Sequence, residues 1–113
     1  MSVLRRVDLD RREEYYAGLD RLVQRIKDAL PVHAVYLFGS FARGDIHEGS
    51  DIDLLIVGDF VERFNQRIFN VLELNTEKLP IEPLCYTPEE LKRMREEENP
   101  FLEEAMRTAK RLA

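Results

Sequence analysis

From Asp10 to Leu30, apolar side chains recur at Tyr15, Leu19, Leu22, Ile26 and Ala29. Steps of four, three, four and three residues keep them on one face of a helix, with polar residues on the other. Asp10 followed by Glu13 has the form of a capping box, and Pro31 marks the helix end. The pattern then changes. Ala34-Val35-Tyr36-Leu37-Phe38 is apolar without interruption, which predicts a central strand covered on both faces and ending at Gly39. Residues 39–50 (GSFARGDIHEGS) are small and polar, and a second strand, Asp51-Ile52-Asp53-Leu54-Leu55-Ile56-Val57, closes at Gly58-Asp59.

Helical spacing returns from about Phe60 to Leu74, with Phe60, Phe64, Ile68 and Val71 or Leu72 on one face. After a polar connection over 75–80, Ile81 to Tyr86 reads as a short strand, and Pro83 assigns it to an edge or irregular position. Thr87-Pro88-Glu89-Glu90 has the cap, first-turn proline and box-closing glutamate of a helix start. Asn99-Pro100 begins a last helix that turns Phe101, Ala105, Ala109 and Leu112 towards the core or a partner. Residues 1–8 read as a short lead-in. The expected architecture is α/β (α+β): a single domain over residues 1–113, with helices packed on a small mixed sheet.

Bulk properties narrow the function classes. At 113 residues with 44% hydrophobic positions, the chain has material for one core and little room for a second. No apolar run approaches the length needed to span a bilayer, and the N-terminus lacks the apolar stretch of a signal peptide. The single cysteine, Cys85, suits a reducing compartment and reads as a small buried hydrophobe, so the expected location is the cytoplasm. A net charge of −5 argues against a domain whose main task is gripping a nucleic-acid backbone.

The candidate chemistry lies in Gly39-Ser40, ten intervening residues, then Asp51-Ile52-Asp53. On a strand, residues i and i+2 face the same way, which places the Asp51 and Asp53 carboxylates on one side, roughly 7 Å apart along the chain. Two like charges so close resist ionising together, and a divalent cation with a preference for hard oxygen ligands, Mg²⁺ or Mn²⁺, resolves the conflict. Two carboxylates plus substrate phosphates is a usual way to hold Mg²⁺ in phosphoryl and nucleotidyl transfer. Gly39 permits close approach of a phosphate to the backbone, and the Ser40 hydroxyl can add a hydrogen bond. Arg43 either pairs with a triphosphate or braces the loop through an acid such as Asp45. Gly39 to Gly44 has the spacing of a P-loop, but Asp45 stands where its lysine belongs, and no G-x-G-x-x-G is present. His33 and His47 lack metal-ligand spacing to another His or Cys and read as structural or solvated.

The segment GSFARGDIHEGSDIDLLIV (39–57) resembles the signature of the DNA polymerase β-like nucleotidyltransferase superfamily, and more closely that of prokaryotic minimal nucleotidyltransferases. The resemblance implies that Gly39 and Ser40 hold the β- and γ-phosphates of a nucleoside triphosphate such as ATP. It implies that Asp51 and Asp53 bind two Mg²⁺ ions, and that a third carboxylate on a neighbouring strand completes the set and deprotonates the attacking hydroxyl. Glu82 is the candidate for that third acid, although the superfamily more often has Asp there, and Glu77 is the alternative. Family members of this size are often paired with a HEPN-domain toxin, acting as its antitoxin, in some cases by adding AMP to a toxin tyrosine. From its length the chain is expected to lack a second domain for an acceptor, so the hydroxyl is expected to come from another molecule. Two other readings follow from the same resemblance: an antitoxin that only binds, with a vestigial nucleotide site, and an antibiotic nucleotidyltransferase. Both a homodimer and a hetero-oligomer are compatible with the sequence.

Overall fold

Strand β1 (Val32–Phe38) is apolar on both faces because both faces are covered. Val35 and Leu37 face one layer, with Leu19, Leu22 and Ile26 of helix α1 (Arg12–Ala29). Ala34 and Phe38 face the other, with Leu91, Leu102 and Ala105 of two later helices. The computed structural model of the chain describes residues 9–113, so the expected lead-in over 1–8 lies outside the described residues.

After β1 come a five-residue helix α2 (Gly39–Arg43), strand β2 (Ile52–Gly58), helix α3 (Phe64–Leu74) and strand β3 (Ile81–Tyr86). Helices α4 (Pro88–Glu96) and α5 (Pro100–Thr108) and a two-residue strand β4 (Lys110–Arg111) complete the order. The sheet is mixed, in the order β3-β2-β1-β4. β1 pairs antiparallel with β2 and β4, whereas β2 and β3 run parallel across the α3 crossover. β2 alternates in the same sense as β1. Ile52, Leu54 and Ile56 join the α1 layer, and Leu55 and Val57 join the α4/α5 layer.

The expected α/β architecture is therefore present, with β3 at an edge as Pro83 required. Thr87 accepts from the Glu90 amide at 3.1 Å while the Glu90 carboxylate accepts from the Thr87 amide at 2.8 Å, so the predicted box closes α4. Asn99 caps α5 through the Leu102 amide. Cys85 is buried in the α1 layer, and burial pushes its thiol up to about 12, which leaves it an inert hydrophobe. No helix among the described residues is long and apolar enough to cross a membrane.

β1 begins two residues early at Val32 and β2 runs Ile52–Gly58 rather than 51–57, and three further elements depart more from expectation. The N-cap of α1 is Arg11 rather than Asp10: a 3-10 turn, Leu9–Arg11, precedes the helix, and the Arg11 side chain donates to Glu14. α3 begins at Phe64 rather than Phe60, and its buried stripe is Arg67 and Val71 rather than Phe64, Ile68 and Leu72. The cause is Arg67, 7% exposed, whose guanidinium donates to the Glu62 and Cys85 carbonyls and pairs with Glu90 at 2.6 Å, beneath the Phe60 ring. Those bonds set the rotation of the helix. Finally, α5 stops at Thr108 and the chain becomes β4, because the edge of β1 still has polar groups to satisfy. Leu112 N–H donates to the Val35 carbonyl at 2.7 Å and Val35 N–H to the Ala113 carbonyl at 3.2 Å. Leu112 packs against the α1 layer, and α5 buries Leu102 and Ala105 while Phe101 stays 41% exposed.

Candidate active site

The site forms where β1 ends. Phe38 is opposite Asp53 in the antiparallel β1–β2 register, and Asp53 is opposite Glu82 in the parallel β2–β3 register. Asp53 thus occupies the middle of three adjacent strands. Asp51 precedes the first residue of β2, two positions from Asp53.

Gly39 has φ +72°, and a Cβ there would overlap the Asp53 carboxylate, so only glycine lets the chain leave β1 this close to the acid. Ser40 lies in the first turn of α2, which closes on Gly44, a left-handed residue at φ 84° whose N–H donates to the Ser40 carbonyl. The loop then returns to Asp51 through a serine relay. Ser40 Oγ donates to Ser50 Oγ at 2.9 Å, and the same oxygen accepts from the His47 amide at 2.9 Å. Ser50 N–H closes the turn onto the His47 carbonyl, and Ser50 is only 5% exposed. Ser50 is therefore what fixes Ser40 relative to the aspartates.

Burial first, then the neighbouring Glu82 and Asp51 carboxylates, push the Asp53 carboxyl up to about 6, with the Arg43 guanidinium acting in the opposite sense. A half-buried carboxylate crowded by two others is a donor set suited to a hard divalent cation, which would relieve the repulsion. Among the described residues, however, no three His, Cys, Asp or Glu side chains are grouped so as to hold a metal ion by themselves.

A cleft of about 350 Å³ opens beside Asp53. Gly39, Ser40, Arg43 and Asp53, four of the residues expected from the sequence, line it. Asp51 and Glu82 flank Asp53 without forming the cleft wall. Arg43 also braces the loop through Asp45 at 3.2 Å, so both of its sequence-based roles remain compatible with its position. Glu77, the alternative third acid, is far from this role. It is clamped by Arg21 at 2.5 Å and Arg25 at 3.3 Å on α1, and those guanidiniums hold its carboxyl below the usual range.

The remaining cleft residues were not singled out by motif. His47 lines it, with Nδ1 accepting from the Gly49 amide. The opposite wall is α5, through Phe101, Glu104, Ala105 and Thr108. Their i, i+3, i+4, i+7 spacing was visible in the sequence as one helix face, but nothing there told which face met the motif loop.

Known proteins resemble this chain in both sequence and fold. Over 28 residues, 25% of this chain and 28% of the relative, it is 64% identical to a Methanocaldococcus jannaschii protein named "Putative protein adenylyltransferase". The match thus spans little more than a quarter of that relative's length. A crystal structure from Sulfolobus solfataricus described as a "putative nucleotidyltransferase" superposes with TM-score 0.60 at 24% identity, over 75% of this chain and 78% of that one. Two toxin–antitoxin crystal structures share the fold at lower identity. One, solved with AMP-PNP, gives TM-score 0.61 at 17% identity, over 83% of this chain and 72% of that one. The other, a tyrosine-to-alanine mutant of MntA–HpeT, gives 0.58 at 19%, over 84% and 71%. Residues 19–108 match the family model of the nucleotidyltransferase domain, and the chain belongs to that family.

Proposed function

We propose that this chain transfers AMP from ATP to a hydroxyl on a protein partner, as the antitoxin of a pair with a HEPN-domain toxin. The observation that carries the transfer chemistry is the placement of Asp53: opposite Glu82 across the β2–β3 register, against Gly39, and on the wall of the cleft that Ser40 and Arg43 also line. In support of the acceptor and the pairing stand the protein adenylyltransferase name of the Methanocaldococcus relative and the toxin–antitoxin structures that share the fold.

In this reading Gly39 and Ser40 receive the β- and γ-phosphates, and Arg43 offsets their charge. Asp51 and Asp53, with oxygens of the triphosphate completing the coordination, would hold Mg²⁺, which supplies Lewis-acid stabilisation of the charge that builds on the transferring phosphoryl group. The acceptor oxygen bonds to the α-phosphorus as the bond to the bridging β-phosphate oxygen breaks, and pyrophosphate leaves. Glu82 takes the hydroxyl proton.

The test is pyrophosphate release from ATP with Mg²⁺, with and without the partner that co-purifies from cells. Partner-dependent release that disappears in Asp53→Asn supports the reading. A second reading is binding without catalysis, as toxin–antitoxin pairing alone would allow. It predicts that Asp53→Asn silences the partner as well as the parent chain does.

A further inference from the structure

The cleft beside Asp53 has two chemically different ends. The α2 end presents Gly39, Ser40, Arg43 and His47, all small, hydroxyl or nitrogen-bearing. The α5 end presents Phe101, Ala105 and Thr108, with the Glu104 carboxylate among them. The proposed function places the β- and γ-phosphates at Gly39 and Ser40 with Arg43 beside them, so the anionic part of the nucleotide lies at the α2 end. That orientation turns its uncharged, planar part towards α5.

Phe101 is placed to meet it. Its ring packs edge-on to Phe38 with centroids 5.8 Å apart, and Phe38 is the register partner of Asp53. The ring and the acid line the same cleft. Although it belongs to the final helix and touches Phe38, it remains 41% exposed and lines the cleft. Met106, the other exposed apolar residue of α5, lines a different cavity on the far side of the helix, with Leu91 and Lys92.

The geometry points to Phe101, supported by Phe38, as the surface on which the nucleobase of the bound nucleotide stacks. This inference rests on the nucleotidyl-transfer reading and gives that site its second half. Stacking on an aromatic ring tolerates any base, so Phe101 supplies affinity for nucleosides over bare polyphosphate rather than a choice among bases.

The experiment measures equilibrium binding of ATP and of inorganic tripolyphosphate, with Mg²⁺, to the parent chain, Phe101→Ala and Phe101→Trp. ATP should bind Phe101→Ala about tenfold more weakly than the parent and Phe101→Trp comparably to it. Tripolyphosphate should bind all three equally, which also shows that the α2 end of the variant is intact. Equal ATP affinity for the parent and Phe101→Ala overturns the stacking role and leaves nucleotidyl transfer standing. Failure of the parent to bind either probe overturns both. Equal weakening of both probes in Phe101→Ala overturns the stacking role by showing that Phe101 supports the whole cleft.

Discussion

The two faces of the sheet are built to different standards. On the α1/α3 face the packing is sealed: Leu22, Ile26, Val35, Ile52, Leu54, Ile56 and Val71 have essentially no exposure. Its rim is tied by the Arg21–Glu77–Arg25 cluster. On the α4/α5 face the core is seven buried residues, and the helices leave one cavity of about 350 Å³ at Asp53 and another of about 340 Å³ beside Leu91 and Leu102. One face supplies most of the burial that stabilises the fold, and the other is left open where a ligand can enter. The same two strands serve both, because side chains alternate along them: Ile52 and Leu54 point one way and Asp53 the other.

Variants on the two faces should separate stability from activity. Asp53→Asn should lower pyrophosphate release by a factor on the order of 100 or more, with the thermal midpoint at neutral pH unmoved or raised, since burial and the neighbouring carboxylates already disfavour the charged form. Ile26→Ala, on the sealed face, should do the reverse: a loss of about 2–5 kcal/mol in denaturant unfolding, with ATP affinity retained in the folded fraction. An Asp53→Asn variant that unfolds, or an Ile26→Ala variant that fails to bind ATP while folded, would break the comparison.

Gly39→Ala probes the point where the faces meet. The positive φ and the overlap with Asp53 should together cost about 1–3 kcal/mol of stability and displace the carboxylate, so stability and release fall together.

A smaller effect separates the α4 anchor from the site. Arg67 first, and the Thr87 amide after it, hold the Glu90 carboxyl below the usual range. That contribution is complete above the ordinary glutamate pKa of about 4.3 and is lost as pH falls through the lower value in the fold. Glu90→Gln should therefore lower stability at neutral pH by about 1 kcal/mol and flatten its decline below pH ~4. An unchanged acid-unfolding profile would remove Glu90 from the account. The smallest effect is expected at Glu77: Glu77→Gln should leave release unchanged, whereas Glu82→Gln should diminish it. The opposite result would exchange the two acids.

How far the sequence could be read depended on the range of the forces involved. The β1 run, the β3 strand with its edge proline, and the Thr87 and Asn99 caps are set by neighbours within a few residues, and each appears as predicted. The Gly39-Ser40 and Asp51-x-Asp53 spacing was legible because one loop joins its parts, and the cleft brings Gly39, Ser40 and Asp53 together. What failed was long-range. Arg67 rotates α3 by bonding to Cys85 and Glu90, some twenty residues away, and the pull of the β1 edge on Leu112 converts the end of the expected last helix into a strand. His47 and the α5 wall were missed for the same reason: Phe101 reaches Phe38 only through tertiary packing. Ser50 lies inside the 39–57 segment, but its relay to Ser40 needs the folded loop to be seen.

The short β4 has a consequence for how another protein can be recognised. It lies along β1 at Tyr36 and Leu37 and leaves only two residues of its own as an outer margin, while β3 at the other margin carries Pro83, which has no N–H to give. Among the described residues, a guest strand would find no continuous ladder of main-chain donors and acceptors on either side. Recognition by strand addition is thereby discouraged. Under the proposed function, a protein presenting a hydroxyl to Asp53 would be selected by the shapes and charges of side chains around the cleft, and its specificity would be written in residues that can change without disturbing the sheet.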